Sequence, residues 1–156
     1  QLQNCQTDEF VSVHALAADT RALWIIGSAG WCSACRQYLP QVFNLMNTIE
    51  PTQARLMIVV GEDGAYAQPT TGFCRRYAEH YGLPDASNFY IDHNGVSSFS
   101  TLFTYLNLYS NDGAFGLPWN AVVSGGDAPV YEYSDGSGQA QTLVDVLREV
   151  AGLPIQ

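Results

Sequence analysis

The sequence predicts one α/β domain, on three observations. The apolar pattern switches between strand and helix periods along the chain, with no internal repeat. A continuous apolar run, Ala22 to Ile26, is bounded by Gly27 and Gly30 and has the character of a central strand buried on both faces. With 156 residues, 47% of them hydrophobic, the chain suffices to bury roughly two thirds of its unfolded surface around one core.

Taken in order, Gln1 to Asp19 is short, polar and mixed, with Phe10 to Val13 as a strand. The buried run Ala22 to Ile26 follows and leads directly into Gly30-Trp31-Cys32-Ser33-Ala34-Cys35-Arg36. Behind it Leu39, Val42, Phe43 and Met46 recur at helical spacing and share a face with Cys35. Pro40 lies inside this helix and is expected to kink it, because it cannot donate to the carbonyl four residues earlier. Arg55 to Val60 is a second buried strand, ended by Gly61-Glu62-Asp63-Gly64. Thr71 to Tyr81 is helical by pattern and is closed by Gly82 and Pro84. Asn88 to Asp92 forms a further strand and Ser100 to Tyr109 a short helix. A hairpin follows Gly116-Leu117-Pro118-Trp119, pairing Ala121 to Ser124 with Val130 to Tyr133 through Gly125-Gly126-Asp127. Ala140, Leu143, Val144, Leu147 and Ala151 form one stripe of a closing amphipathic helix, with Ser137 and Gly138 as its N-terminal punctuation.

The chemistry-bearing feature is the Cys-x-x-Cys where strand gives way to helix. It places Cys32 at the helix's first turn and Cys35 one turn later, close enough to bond. Unsatisfied N–H groups and the positive end of the helix dipole favour a thiolate there, the species that attacks disulfides. Cys35 is expected to point inward and Cys32 to stay at the exposed start, which separates resolver from attacker.

Composition removes several classes. The net charge of −9, from 15 acidic residues against six arginines and no lysine, offers no basic stripe for nucleic acid. Without lysine there is no Schiff-base or phosphate-loop lysine. No apolar run approaches the roughly 20 residues that span a bilayer, and no signal peptide opens the chain. Half of a zinc site is the alternative for Cys32 and Cys35, but Cys5, Cys74, His14, His80 and His93 form no second ligand pair, so no metal is expected.

With these features the chain resembles the thioredoxin superfamily. The pattern is Trp31, then Cys32-x-x-Cys35, the basic Arg36, the kinking Pro40 and a distant Pro118 before a late hairpin. The material between the second strand and Pro118, and the leading segment Leu2 to Ala17, are most like the exported TlpA/ResA-type (AhpC/TSA-related) branch. The resemblance implies a thioredoxin-like fold, with a central mixed sheet flanked by helices on both faces. It implies a single domain over residues 1–156, with an N-terminal hairpin extension (residues 1–20) and an insertion before a cis-proline (roughly residues 64–116).

It further implies a thiol-disulfide oxidoreductase in which Cys32 attacks and Cys35 resolves. Trp31, Leu117, Pro118 and Trp119 would shape the substrate groove, and Ser33, Ala34, Arg36 and Glu62 would tune the redox pair. No cofactor is implied, since the sulfurs carry the two electrons. The partners would be a disulfide-bearing protein and a second protein that resets the pair, with no nucleic acid and no membrane span. A monomer is expected, in an extracytoplasmic setting (periplasmic, secreted or lipid-anchored), with the signal or anchor not present in this chain.

Two departures stand out. Ile26 occupies the position of the buried Asp of cytosolic thioredoxins, leaving Glu62 or Asp63 as candidate substitutes in proton handling. Ser33-Ala34 is the pair of neither a reducing nor a strongly oxidising relative, so the direction of electron flow stays open. A non-catalytic binding module using the same groove is the main alternative. A peroxiredoxin-like peroxidase is the lesser one, because Ile25 and Ala29 stand where that motif needs Pro and a hydroxyl residue. Cys5 and Cys74 form a candidate structural disulfide, against buried free thiols, which are slightly favoured because sequence does not show that the sulfurs meet.

Overall fold

The structure, a computed structural model, describes residues 1–92, 99, 101–102, 116–125, 129–136 and 138–156. Its elements run β1 (Leu2–Asn4), β2 (Phe10–Val11), α1 (Val13–Ala18), β3 (Ala22–Ala29), α2 (Ser33–Met46), β4 (Ala54–Glu62) and α3 (Thr71–His80). They continue with β5 (Phe89–Asp92), β6 (Trp119–Ser124), β7 (Val130–Asp135) and α4 (Ala140–Ala151). The strands form one mixed sheet in the order β2-β1-β5-β4-β3-β6-β7. Pairing is parallel between β3 and β4 and between β4 and β5, and antiparallel elsewhere.

The central strand explains the layering. Every residue of β3 is buried, and side chains that alternate along it enter two different cores. Trp24 and Ile26 join Leu56, Ile58, Val60 and Val122 against the apolar faces of α2, α3 and α4. Leu23 and Ile25 join Met57, Val59, Ala121 and Val123 on the opposite face, under α1 and beside Phe99 and Leu102. A strand covered on both sides reads as an unbroken apolar run, which is why Ala22 to Ile26 shows no alternation.

Several boundaries differ from the sequence expectation. The strand expected over Phe10 to Val13 stops at Val11, because the Ser12 hydroxyl accepts the Ala15 N–H at 3.1 Å and caps α1. Val13, Leu16 and Ala17 then bury one helical face. β3 continues through Gly27 to Ala29, and β4 extends to Glu62. Pro40 sits inside an α2 that runs unbroken from Ser33 to Met46. α3 ends at His80 with Gly82 at φ 70°, a conformation that glycine adopts without a Cβ clash. α4 starts after Gln139, which makes no side-chain cap; Ser137 lies outside the described residues. So do most of the helix expected over residues 100–109, of which Thr101 and Leu102 are helical, and Gly126, Asp127 and His93.

The leading segment does form a hairpin, β1 with β2, but it also joins the main sheet, because β1 pairs with β5. Side chains and a covalent bond fasten it. The Asn4 side chain accepts the N–H groups of Gln6 and Thr7 and donates to the Ser87 carbonyl. Arg75 of α3 donates to the Cys5 carbonyl and pairs with Asp8, both at 2.6 Å. The Thr71 hydroxyl and then Arg75 hold the Asp8 carboxyl below its usual range. Finally, Cys5 and Cys74 are joined in a disulfide, both fully buried, so the slight preference for free thiols is corrected. The pairing was hidden because it depends on β1 docking beside α3, a contact across 69 residues.

This bond closes a long loop and therefore restricts the unfolded chain strongly. Replacing both Cys5 and Cys74 by serine should lower stability by up to about 4 kcal/mol in the loop-entropy account, measured as a shift in the urea midpoint. A midpoint equal to that of the parent would show that the hairpin is held without it.

Candidate active site

The site is built where β3 ends. The register of β3 against β4 shifts between Ser28 and Ala29, so that Ala29 lies opposite Glu62, and the Gly30 N–H donates to the Glu62 carbonyl at 2.9 Å. Gly30 is required there. A Cβ on it would stand 2.7 Å from the Gly64 nitrogen, 2.8 Å from the Asp63 carbonyl carbon and 2.6 Å from Phe73 Cζ. The chain then turns into α2 with Cys32 at the N-cap, where its Sγ accepts the Cys35 N–H at 3.0 Å. No acidic residue occupies the first turn of α2 to offset the positive helix end.

Cys32 and Cys35 are joined in a disulfide, with Cα atoms 5.3 Å apart. The expected asymmetry of exposure is corrected: Cys32 is only 3% exposed and Cys35 is fully buried. Ala29 and the half-buried Leu117 pack against both. What distinguishes the two sulfurs is therefore the hydrogen bond from the backbone to Cys32 Sγ.

The Leu117-Pro118 peptide bond is cis. The Pro118 carbonyl accepts the Gly136 N–H at 3.1 Å and the Asn120 side-chain amide at 3.3 Å. Asn120 is fully buried, and its Oδ1 accepts from Trp24 Nε1 and from the Tyr38 hydroxyl, each at 3.0 Å. Tyr38 lies on α2, one turn beyond Cys35. One carboxamide thus fixes the proline turn to the helix that carries the sulfurs. Burial pushes the Tyr38 hydroxyl far above its ordinary range, against the hydrogen bond to Asn120, and keeps it a neutral donor.

Trp31 forms the exposed lip. Its indole N–H donates to Glu62 Oε2 at 2.6 Å and its ring stacks on Tyr66 at 5.2 Å. Asp63 is committed elsewhere: its Oδ1 accepts the N–H groups of Ala65 and Ala67 and shapes the turn after β4. Behind the motif, the Ser28 and Tyr77 hydroxyls lie 2.8 Å apart, and the Tyr81 hydroxyl donates to Tyr77 at 3.1 Å. Burial first, and then the neighbouring Tyr77, raises the Tyr81 hydroxyl well above its usual range. Among the described residues, no group of three or more His, Cys, Asp or Glu is placed to hold a metal ion.

No protein-family model matches the sequence, and no curated protein matches it. Solved structures do match. A thioredoxin-related protein from Neisseria meningitidis serogroup B superposes with a TM-score of 0.65 at 15% identity, covering 97% of this chain and 99% of its own. A thiol:disulfide interchange protein of the thioredoxin family from Chlorobium tepidum gives 0.64 at 14% identity, over 88% of this chain and 83% of its own. The pneumococcal exposed lipoprotein thioredoxin from Streptococcus pneumoniae gives 0.56 at 16% identity, over 85% and 87%. The fold is thioredoxin-like.

In this thioredoxin-like fold the structure gathers Trp31, Cys32, Cys35, Leu117, Pro118 and Glu62 at one end of the central strands. Ser33, Ala34 and Arg36 lie exposed on the first turns of α2. Trp119 departs from its expected role as a groove side chain. It is 2% exposed, paired to Gly27 on one side and to Asp135 on the other, and its ring enters the opposite core beside Tyr133. The reason is strand parity: Trp119 and Asn120 point to opposite faces, and Asn120 takes the one toward α2. Sequence reading passed over Asn120 and Tyr38. The available signal was a polar residue two places after Pro118 inside an otherwise apolar strand.

Three substitutions test this construction. Asn120→Leu strands the Trp24 and Tyr38 donors and should cost about 3 kcal/mol, against about 1 kcal/mol for Tyr38→Phe. Denaturant midpoints of both variants check the order; a larger loss for Tyr38→Phe would contradict the role of the carboxamide. Gly30→Ala should cost about 1–3 kcal/mol, because backbone atoms on two sides resist the added methyl. Thermal unfolding reads that loss, and a neutral result would mean that the loop yields freely.

Proposed function

We propose that this protein is a thiol-disulfide oxidoreductase that exchanges disulfides with protein clients through Cys32 and Cys35. The observation that carries the reading is the bonded pair at the β3–α2 junction, with a backbone N–H directed at Cys32 Sγ and the cis Leu117-Pro118 turn packed against it. Similarity to a thiol:disulfide interchange protein supports it.

In the reduced protein, the Cys35 N–H and the helix end stabilise a thiolate on Cys32. That thiolate attacks one sulfur of a client disulfide; the client S–S bond breaks, a mixed disulfide forms, and the other client sulfur leaves as thiolate. Cys35 gives up its proton and attacks Cys32 Sγ, which breaks the mixed disulfide and closes the internal one. Two electrons pass from the pair to the client, and a second thiol protein returns them. The same steps run backwards when the client is a dithiol. Leu117, half-buried against the sulfurs, and the exposed Trp31 are side chains that a client at Cys32 would meet.

The reading includes an extracytoplasmic setting. The Cys5–Cys74 bond, buried and outside the motif, belongs to an oxidising compartment, and one structural neighbour is an exposed lipoprotein thioredoxin.

Equilibration in graded dithiothreitol and glutathione buffers, followed by alkylation and peptide mapping, tests the reading. A reversible two-electron transition at Cys32 and Cys35, with Cys5 and Cys74 still bonded, is expected. In parallel, Cys35→Ala should accumulate mixed disulfides through Cys32, and Cys32→Ser should accumulate none. A motif pair locked in one state across the buffers, with no trapped client, would leave a binding module in place of an enzyme.

A further inference from the structure

One flank of the motif carries charge of the wrong sign for the molecule. The chain has a net charge of −9 and only six arginines. Arg75 is paired with Asp8, and Arg148 donates to the Pro154 carbonyl, Thr48 and Gln156. Arg36 and Arg76 are exposed and, among the described residues, their side chains make no ion pair or hydrogen bond. Both line the same cleft of about 200 Å³, together with His80, Phe73, Tyr77 and Gly30.

The placement follows from local structure. Phe73, Arg76, Tyr77 and His80 stand at i, i+3, i+4 and i+7 on α3, so one helix face presents a guanidinium and an imidazole beside two aromatic rings. Phe73 and Tyr77 stack at 6.1 Å to form the floor. Gly30, two residues before Cys32, and Arg36, directly after Cys35, form the opposite wall. A chain segment bonded to Cys32 therefore has this cleft as a neighbour. Two guanidinium groups left without carboxylates, in a chain with 15 acidic residues, repel each other and raise the local potential until an anion arrives. The volume is below the roughly 300–1,000 Å³ of drug-sized ligand sites and suits a side chain. Guanidinium groups match carboxylates in planar, paired hydrogen bonds.

The geometry points to a carboxylate-recognising subsite, formed by Arg36, Arg76 and His80 above Phe73 and Tyr77, that takes an acidic side chain flanking the client's disulfide. This inference rests on the disulfide-exchange reading and specifies its client. It also makes an unusual demand, because the overall negative charge favours a neutral client over an acidic one.

The test uses two disulfide-bridged peptides that differ only in flanking residues, Glu in one and Gln in the other, and follows their exchange with the full chain. At low ionic strength the Glu peptide should react about tenfold faster, with the ratio shrinking in about 0.5 M salt. Arg76→Gln, which leaves the residue next to Cys35 untouched, should reduce the ratio about threefold, and Arg36→Gln/Arg76→Gln should bring it to about one. A ratio of one or less in the parent, or a ratio indifferent to Arg76→Gln, overturns the subsite.

If neither peptide exchanges, the oxidoreductase reading falls, and a binding arm still decides the subsite. Cysteine-free Glu and Gln peptides carrying a fluorophore are titrated against the oxidised protein and followed by anisotropy. Preference for the Glu peptide that Arg76→Gln abolishes supports the subsite, and equal binding overturns it.

Discussion

The carboxamide of Asn120 is the interaction on which the site depends. It is fully buried, and its oxygen accepts from β3 through Trp24 and from α2 through Tyr38, while its nitrogen reaches the Pro118 carbonyl. Apolar packing alone is non-directional and would allow α2 to slide on the sheet by fractions of a turn. A carboxamide with three partners fixes distance and rotation together, since each unmade bond would leave a polar group dry. The sulfurs and the proline turn therefore keep their relation because both are tied to one side chain on β6.

The polar groups buried behind the motif are neutral. Ile26 packs in the same apolar cluster as Tyr38 and Leu39. Two places further along the same face of β3, Ser28 meets the Tyr77 hydroxyl, which also donates to the Ala29 carbonyl at 3.4 Å. The buried carboxylate of Asp92 lies on β5 and accepts from Thr101. An ionised group next to the sulfurs would resist burial and oppose a second negative charge on Cys32. With Ile26 in its place, the field at the thiolate is set by the Cys35 N–H and the helix end, with Glu62 held at the rim by Trp31.

What the sequence revealed and what it withheld follow from range. β3, β4, α2, α3, α4 and the late hairpin were legible because each writes its own local pattern over fewer than about twenty residues. The motif and the proline were legible as spacings. The start of α1 falls inside the strand expected over Phe10 to Val13, because that stretch is mostly β-favouring and only the cap formed by Ser12 decides for the helix. The burial of Cys32 was missed because its cover, Leu117, arrives from 85 positions away. The roles of Asn120 and Trp119 depended on which face each strand residue takes. Parity is fixed by pairing with β3, which no local pattern states.

The two disulfides show how location divides structure from chemistry. Both are buried, and neither has a free cysteine beside it. Cys5 and Cys74 sit in the apolar cluster on the α3 face, where among the described residues no backbone donor points at a sulfur and a thiolate would be disfavoured. Opening that bond also frees a loop of 69 residues, so the folded chain resists it. Cys32 and Cys35 are three residues apart, so their bond contributes little loop entropy and its opening releases little of the fold. There the thiolate has a donor waiting at 3.0 Å. Opening the Cys5–Cys74 bond is thus coupled to a long stretch of the chain, and opening the Cys32–Cys35 bond is not. In the proposed exchange, a change of redox state at the end of β3 leaves the N-terminal strand fastened by the Cys5–Cys74 bond.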